Sequence, residues 1–229
     1  MNRKKVVNYV KRQNKALSEY KVGPFQIIIK DPLTASINIR DLFNNINALL
    51  PKKYTSLVDI IYIGDFTFLN EQEVNALYMD GAIYISNQQD NTDDLKDDIV
   101  HEISHAVEEK YGDFIYGDGE VKGEFLLKRD KLKKILQHQD YNIRDYDFYK
   151  IKYEEKFDSF LYEEIGYDAL RIMTVDILLG PYSITSLREY FARGFEEYYI
   201  GNKFYLKEVC PYIYKKLLFL EEEVNNYEF

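Results

Sequence analysis

The chain has 229 residues, of which 46% are hydrophobic and 30% charged, so it has enough apolar material for a folded core and is not wholly disordered. A net charge of −9 argues against nucleic-acid binding, because phosphate groups must be met by clustered cations. No stretch approaches the roughly 18 apolar residues that a membrane-spanning helix needs. The length suits one α+β domain with insertions or two small lobes flanking a cleft, and we expect a single domain over residues 1–229.

Helices and strands are both expected in the first part of the chain. The hydrophobic pattern predicts, in chain order, a helix over residues 3–20, a strand over 25–30, a helix over 40–50, strands over 58–63 and 66–69, a short helix near 71–78 and, after an Asp80-Gly81 turn, a strand over 82–86.

The rest of the chain is expected to be mainly helical. Asn91 or Thr92 is expected to begin a helix that reaches about Tyr111, because two aspartates would follow in its first turn, where the helix dipole favours negative charge. Further helices are predicted over residues 120–138, 168–179, 186–200 and 211–225. Early strands and late helices predict an α+β fold, with an α/β part over about residues 1–112 and a helical part over about 113–229.

Residues 98–109 read DIVHEISHAVEE and contain a His-Glu-x-x-His pattern inside a predicted helix. His101 and His105 are four residues apart, so their imidazoles lie on one helical face. Two such imidazoles can bind one Zn²⁺, and Glu102 can act as the general base on water. The alternative is a surface helix with two partly exposed histidines and a solvated Glu102.

A catalytic zinc site uses three protein ligands and leaves one position open, so a further ligand must come from elsewhere in the chain. The remaining histidine, His138, ends a basic helix and is interpreted as a surface residue. Glutamates are abundant, and spacing alone does not choose among them.

Two segments resemble a known family of zinc proteases. HEISHAVEEKYGD at residues 101–113 and YSITSLREYFARGFEEYY at residues 182–199 are similar to the catalytic domain of anthrax lethal factor and to the clostridial Pro-Pro endopeptidases. Family members carry a glutamate before an aromatic-aromatic-Ala element and a tyrosine seven residues before that glutamate. Glu189 and Tyr182 occupy these positions, so the resemblance implies Glu189 as the third zinc ligand and Tyr182 as a catalytic residue.

Both residues also have simpler interpretations. Ser186 and Glu189 have the spacing of a capping box, so Glu189 could serve only to stabilise a helix start. Tyr182 is one of 22 tyrosines and could be an ordinary loop residue. The family usually has Glu after the aromatic-aromatic-Ala element, whereas this chain has Arg193, which could pair with Glu189 one turn away.

The resemblance implies a zincin-like metalloprotease fold of the gluzincin type, with a small mixed sheet, an active-site helix and a mainly helical C-terminal part. The implied function is a zinc-dependent endopeptidase that hydrolyses a protein or peptide substrate through a metal-bound water, with Zn²⁺ held by His101, His105 and Glu189. Glu102 would be the base, and the Tyr182 hydroxyl would stabilise the oxyanion. An extended substrate could add to a sheet edge at residues 82–86. The alternatives are a toxin-type docking domain without enzymatic activity and a metal-dependent hydrolase of a non-peptide substrate.

The relatives are secreted proteases or toxins, so the resemblance implies a secreted protein. A cytoplasmic protein is the alternative, because the basic start MNRKKVVNYV is not followed by the apolar core of a signal peptide. Cys210, the only cysteine, permits no internal disulfide and is interpreted as a buried structural thiol.

Overall fold

The computed structural model describes the backbone of residues 18–227 and the side chains of residues 18–222. The described chain is α+β, with a small mixed five-stranded sheet and a mainly helical C-terminal part. It divides into two compact units, of which the first ends at Val107 and the second begins at Glu108. Within residues 18–227, no helix is long and apolar enough to cross a membrane.

The sheet belongs to the first unit and has the strand order β1-β2-β3-β5-β4. Its strands are β1 (Ser18–Val22), β2 (Phe25–Ile29), β3 (Ile60–Gly64), β4 (Ala76–Met79) and β5 (Ala82–Ser86). β2, β3 and β5 are parallel to one another, whereas β1 and β4 pair antiparallel with β2 and β5. β1 and β4 are therefore the two edges of the described sheet. The β4–β5 hairpin turns at Asp80 and Gly81, both of which have the positive φ of a type I′ turn.

Among the described residues of the first unit, four helices begin: α1 (Ile39–Leu49), α2 (Lys52–Thr55), α3 (Thr67–Asn70) and α4 (Thr92–Tyr116). α1 packs on the sheet, since the ring of Phe43 contacts Phe25 of β2 at a centroid distance of 5.2 Å. Ile61 and Ile83 are paired across β3 and β5 and are fully buried. Complete burial of such a side chain contributes about 1.5–3 kcal/mol, so these apolar strand residues hold the sheet in place.

The second unit contains helices α5 (Glu120–His138), α6 (Glu155–Ser159), α7 (Tyr167–Met173), α8 (Leu187–Tyr199), α9 (Lys203–Val209) and α10 (Pro211–Tyr227), with a π-helix at Phe160–Ile165 and a 3-10 helix at Pro181–Ile184. α8 and α10 approach closely at Gly194, where an added Cβ would lie 2.5 Å from a side-chain atom of Ile213. Arg129 of α5 is 1% exposed, and its guanidinium lies 4.1 Å from the ring centre of Phe157. It also donates to the carbonyl of Thr185 at 2.8 Å, so this buried charge has both a polar and an aromatic partner.

A buried carboxylate, Glu124 of α5, connects α8 and α10. It accepts hydrogen bonds from the Tyr190 hydroxyl at 2.8 Å and from the N–H of Tyr212 at 3.1 Å. Because Tyr212 lies in the first turn of α10, this contact satisfies an N–H that has no partner within the helix. Burial raises the pKa of Glu124 above its ordinary value of 4.5, and these two hydrogen bonds and the charge of Lys128 oppose that rise.

The raised pKa of Glu124 predicts a pH dependence of stability. The folded state holds the Glu124 proton more tightly than the unfolded state, so the stabilisation is complete below the unfolded pKa and is lost as the pH rises through the folded pKa. We expect the free energy of unfolding of the wild type, measured relative to Glu124→Gln, to fall as the pH rises from about 4. Denaturant titrations at several pH values test this, and a pH-independent difference would contradict it.

Several sequence predictions agree with the structure. The strands predicted over 25–30, 58–63 and 82–86 and the helices over 40–50, 120–138, 186–200 and 211–225 are all present, within three residues at each end. The helix that starts after Asn91 is also present, but it ends at Tyr116 instead of Tyr111.

Other predictions are wrong. Residues 18–20 belong to β1, whereas residues 3–17 of the predicted helix lie outside the described residues. The predicted strand over 66–69 is mostly helix α3, and the helix near 71–78 is replaced at its end by strand β4. α7 is shorter than the predicted helix over 168–179, and α6 and α9 were not predicted. The proposed sheet edge at residues 82–86 is also wrong, because β5 has β3 and β4 on its two sides.

Candidate metal centre

The two histidines of the His-Glu-x-x-His pattern lie on α4, and the start of this helix is fixed by Asn91. The Asn91 side-chain oxygen accepts the N–H groups of Asp93 at 2.8 Å and Asp94 at 3.0 Å. A side-chain acceptor at this position satisfies N–H groups that lack a partner within the helix. Nine residues beyond the first helical residue, Thr92, the helix reaches His101.

His101 and His105 contact each other on one face of α4. Their ring centres are 4.8 Å apart, with the ring planes at 88°. His105 is 5% exposed, whereas His101 is half-buried. The potential ligand atoms of His101, Glu102 and His105 all lie within 4.8 Å of one another. Imidazole nitrogens and carboxylate oxygens are metal ligands, so this group could hold a metal ion.

Glu102 is buried beside the histidines, with 6% of its surface exposed. Its Oε2 accepts a hydrogen bond of 2.5 Å from the main-chain N–H of Tyr78 in β4. A buried carboxylate is costly unless it is hydrogen-bonded, and the strand provides a donor here. Glu102 is therefore held next to the imidazoles by a fixed main-chain group.

The helix around these residues is embedded in the first unit. Ile99, Val100, Ile103 and Val107 are fully buried. One turn before His101, Asp98 accepts a hydrogen bond from the Gln89 side chain at 3.1 Å, and burial raises the pKa of this carboxyl group. A surface helix with solvated side chains, which was the alternative interpretation of the pattern, does not describe this environment.

Models of protein families, curated proteins and solved structures yielded no significant match to the chain.

Glu189 lies in the second unit, in the first turn of α8. Its N–H donates to the Ser186 hydroxyl at 3.1 Å, as the capping pattern predicts. This contact uses the main-chain N–H of Glu189 and not its carboxylate. The side chain is half-buried, with its Oε2 shielded from solvent. Its role as a zinc ligand stays a prediction.

A polar network adjoins Glu189. The Tyr116 hydroxyl donates to Oε1 of Glu108 at 2.6 Å, and Nε of Arg188 lies 3.6 Å from Oε2 of the same carboxylate. Burial raises the pKa of Tyr116, and the negative charges of Glu108 and Glu189 raise it further. Sequence analysis missed this network, because only the fold brings Arg188 to Glu108.

Tyr182 lies in the 3-10 helix of the second unit, and its side chain is 40% exposed. It is therefore accessible to a ligand. Nearby, Tyr153 and Tyr167 both donate to the carboxylate of Asp158, at 2.9 and 2.5 Å. Burial raises the pKa of Tyr167, and the hydrogen bond to Asp158 and the negative charge of that carboxylate add to this rise. The catalytic role of Tyr182 stays a prediction.

Arg193, His138 and Cys210 lie in the second unit. Arg193 pairs with Glu196 and lies 3.7 Å from Glu197, so it faces the end of α8 and does not pair with Glu189. His138 is exposed, as expected. Cys210 is fully buried, and burial raises the pKa of its thiol to about 11, which agrees with a structural thiol.

Proposed function

We propose that the protein is a zinc-dependent endopeptidase with a zincin-like fold. The observation that carries this proposal is the group on α4, where two contacting imidazoles and a buried carboxylate lie within 4.8 Å of one another. The donor types suit zinc, since imidazole nitrogen and carboxylate oxygen are its usual ligands together with thiolate. The resemblance of residues 101–113 and 182–199 to lethal-factor-type proteases supports peptide-bond hydrolysis as the reaction.

In this proposal, His101 and His105 hold the metal with Glu189 as the third ligand. Bound zinc supplies Lewis-acid chemistry, which makes water more acidic and polarises a carbonyl group. The site would keep one coordination position for reactants, as catalytic zinc sites do.

Glu102 would perform the proton transfers. It takes a proton from the attacking water as the new C–O bond forms, and it delivers that proton to the amine nitrogen as the C–N bond breaks. The hydrogen bond from Tyr78 limits the orientations of its carboxylate during both transfers. The Tyr182 hydroxyl would donate to the oxygen that becomes negatively charged, a contact whose loss costs about 2.7–4 kcal/mol of barrier in comparable enzymes.

The described sheet has two edge strands, β1 and β4. β4 is the one that contacts the helix with the two histidines, through Tyr78 and Glu102, so an extended substrate would add there. Main-chain hydrogen bonds at such an edge bind a peptide largely independently of its sequence. The net charge of −9 favours basic segments of a substrate.

Digestion of an unbiased peptide library by the zinc-loaded protein tests the function. We expect internal peptide bonds to be cut, and we expect a chelator to stop cleavage and added zinc to restore it. A protein that binds zinc but cuts no peptide would contradict the proposal and favour a docking domain or a hydrolase of another substrate class.

A further inference from the structure

The outward side of β4 contains a main-chain group that binds a side chain instead of another strand. Tyr78 is opposite Ile83 of β5 in the antiparallel register. Residues along such a strand alternate between those whose N–H points to the neighbouring strand and those whose N–H points away from it. The N–H of Tyr78 points away from β5, because it donates to Oε2 of Glu102 at 2.5 Å.

We propose that the main-chain N–H of Tyr78 is a positioning group for Glu102, an inference that rests on the proposed endopeptidase function. A glutamate side chain has several rotatable bonds, and a general base works only when its oxygen is within hydrogen-bonding distance of the proton it removes. The N–H of Tyr78 binds one carboxylate oxygen and so restricts the rotation of the group that must meet the water.

The donor is suited to this role because its own position is fixed. β4 is paired with β5 at four positions and joined to it by the Asp80-Gly81 turn, so the N–H cannot rotate as a side-chain donor could. A hydrogen bond to an ionised acceptor is also stronger than one between neutral groups. Tyr78 thus acts through its backbone, and its N–H does not itself transfer a proton.

Comparison of Tyr78→Pro with Tyr78→Ala tests this inference. Both variants lack the phenol ring, but only proline lacks the N–H, and proline is tolerated on edge strands where the N–H points away from the sheet. We expect kcat for a cleaved library peptide to be roughly 10- to 100-fold lower for Tyr78→Pro than for Tyr78→Ala. KM should agree within about threefold and zinc content should be equal, because the N–H of Tyr78 is bound to Glu102 in the wild type and is offered neither to a substrate strand nor to the metal.

A second variant removes the N–H without introducing proline, which could disrupt the strand. Incorporation of the α-hydroxy analogue of tyrosine at position 78 replaces only the N–H by an ester oxygen. The kcat of this variant is compared with that of the wild type. The same fall in kcat without zinc loss is expected. Equal kcat for the ester variant and the wild type would overturn the inference, and so would a fall explained entirely by a higher KM or lower zinc content.

The failure of the inference can be distinguished from the failure of the proposed function. If the wild type cuts no peptide, or if Glu102→Gln remains fully active, the proposed function is wrong and the inference falls with it. If cleavage requires Glu102 but the removal of the Tyr78 N–H leaves kcat unchanged, only the inference is wrong.

Discussion

Replacement of Glu102 by glutamine is expected to lower kcat for peptide cleavage by roughly 10²–10⁴-fold, the usual contribution of a general base. The amide has nearly the shape of the carboxylate and keeps an oxygen that can accept the N–H of Tyr78, but it does not take up a proton at neutral pH. Zinc content should not change, because Glu102 is assigned as the base and not as a ligand. Steady-state kinetics together with metal analysis measure both quantities.

Glu109→Gln is a matched control for this variant. Glu109 is on the same helix as Glu102, but its side chain is exposed. The substitution removes one negative charge, as Glu102→Gln does. We expect its kcat to stay within about twofold of the wild type, since surface substitutions away from a site have small effects. Peptide cleavage by Glu102→Gln at the rate of the Glu109→Gln control would show that Glu102 is not the base.

Replacement of His105 by alanine is expected to remove both zinc and activity. A catalytic zinc site has three protein ligands, and the loss of one leaves two. Because even residues that only support a ligand contribute 10- to 100-fold to metal affinity, we expect zinc affinity to fall by more than about 100-fold. Competition with a chromophoric chelator measures the affinity, and peptide cleavage measures the accompanying loss of activity.

His138→Ala is the control for the loss of an imidazole. His138 is exposed at the end of α5, and neither zinc affinity nor cleavage should change. His105 is buried, so unfolding of both variants should also be measured in chelator to show that His105→Ala is folded. Folded His105→Ala with the zinc affinity of the wild type would contradict the assignment of this ligand.

The sequence predicts helices and buried strands well where local signals agree with the fold. α4 has a capping Asn91 and acidic residues in its first turn, and α5 has a long amphipathic pattern, so local and tertiary preferences coincide. β4 is different, because Ala-Leu-Tyr-Met lacks β-branched residues and its strand conformation comes from pairing with β5 across the Asp80-Gly81 turn. Phe66–Leu69 illustrates the opposite error, since a short apolar run does not by itself separate strand from helix.

The candidate site likewise contains features that local sequence predicts and features that only tertiary packing produces. The grouping of His101, Glu102 and His105 is predictable because it depends only on the periodicity of one helix. The donor for Glu102 comes from Tyr78, 24 residues away, and the partner of Glu108 comes from Arg188. Such contacts depend on how distant segments pack, and no local spacing indicates them. Glu189 and Tyr182 are indicated only by the resemblance of residues 182–199 to the protease family.

X-ray absorption at the zinc edge, recorded on protein loaded with one equivalent of zinc, tests most directly whether the two imidazoles of α4 bind the metal. We predict a first shell of nitrogen and oxygen atoms at about 2.0–2.2 Å, with outer-shell scattering from two imidazole rings that is reduced in His105→Ala. A spectrum of bound zinc without imidazole scattering, or one that is identical in His105→Ala, would contradict the assignment of the site.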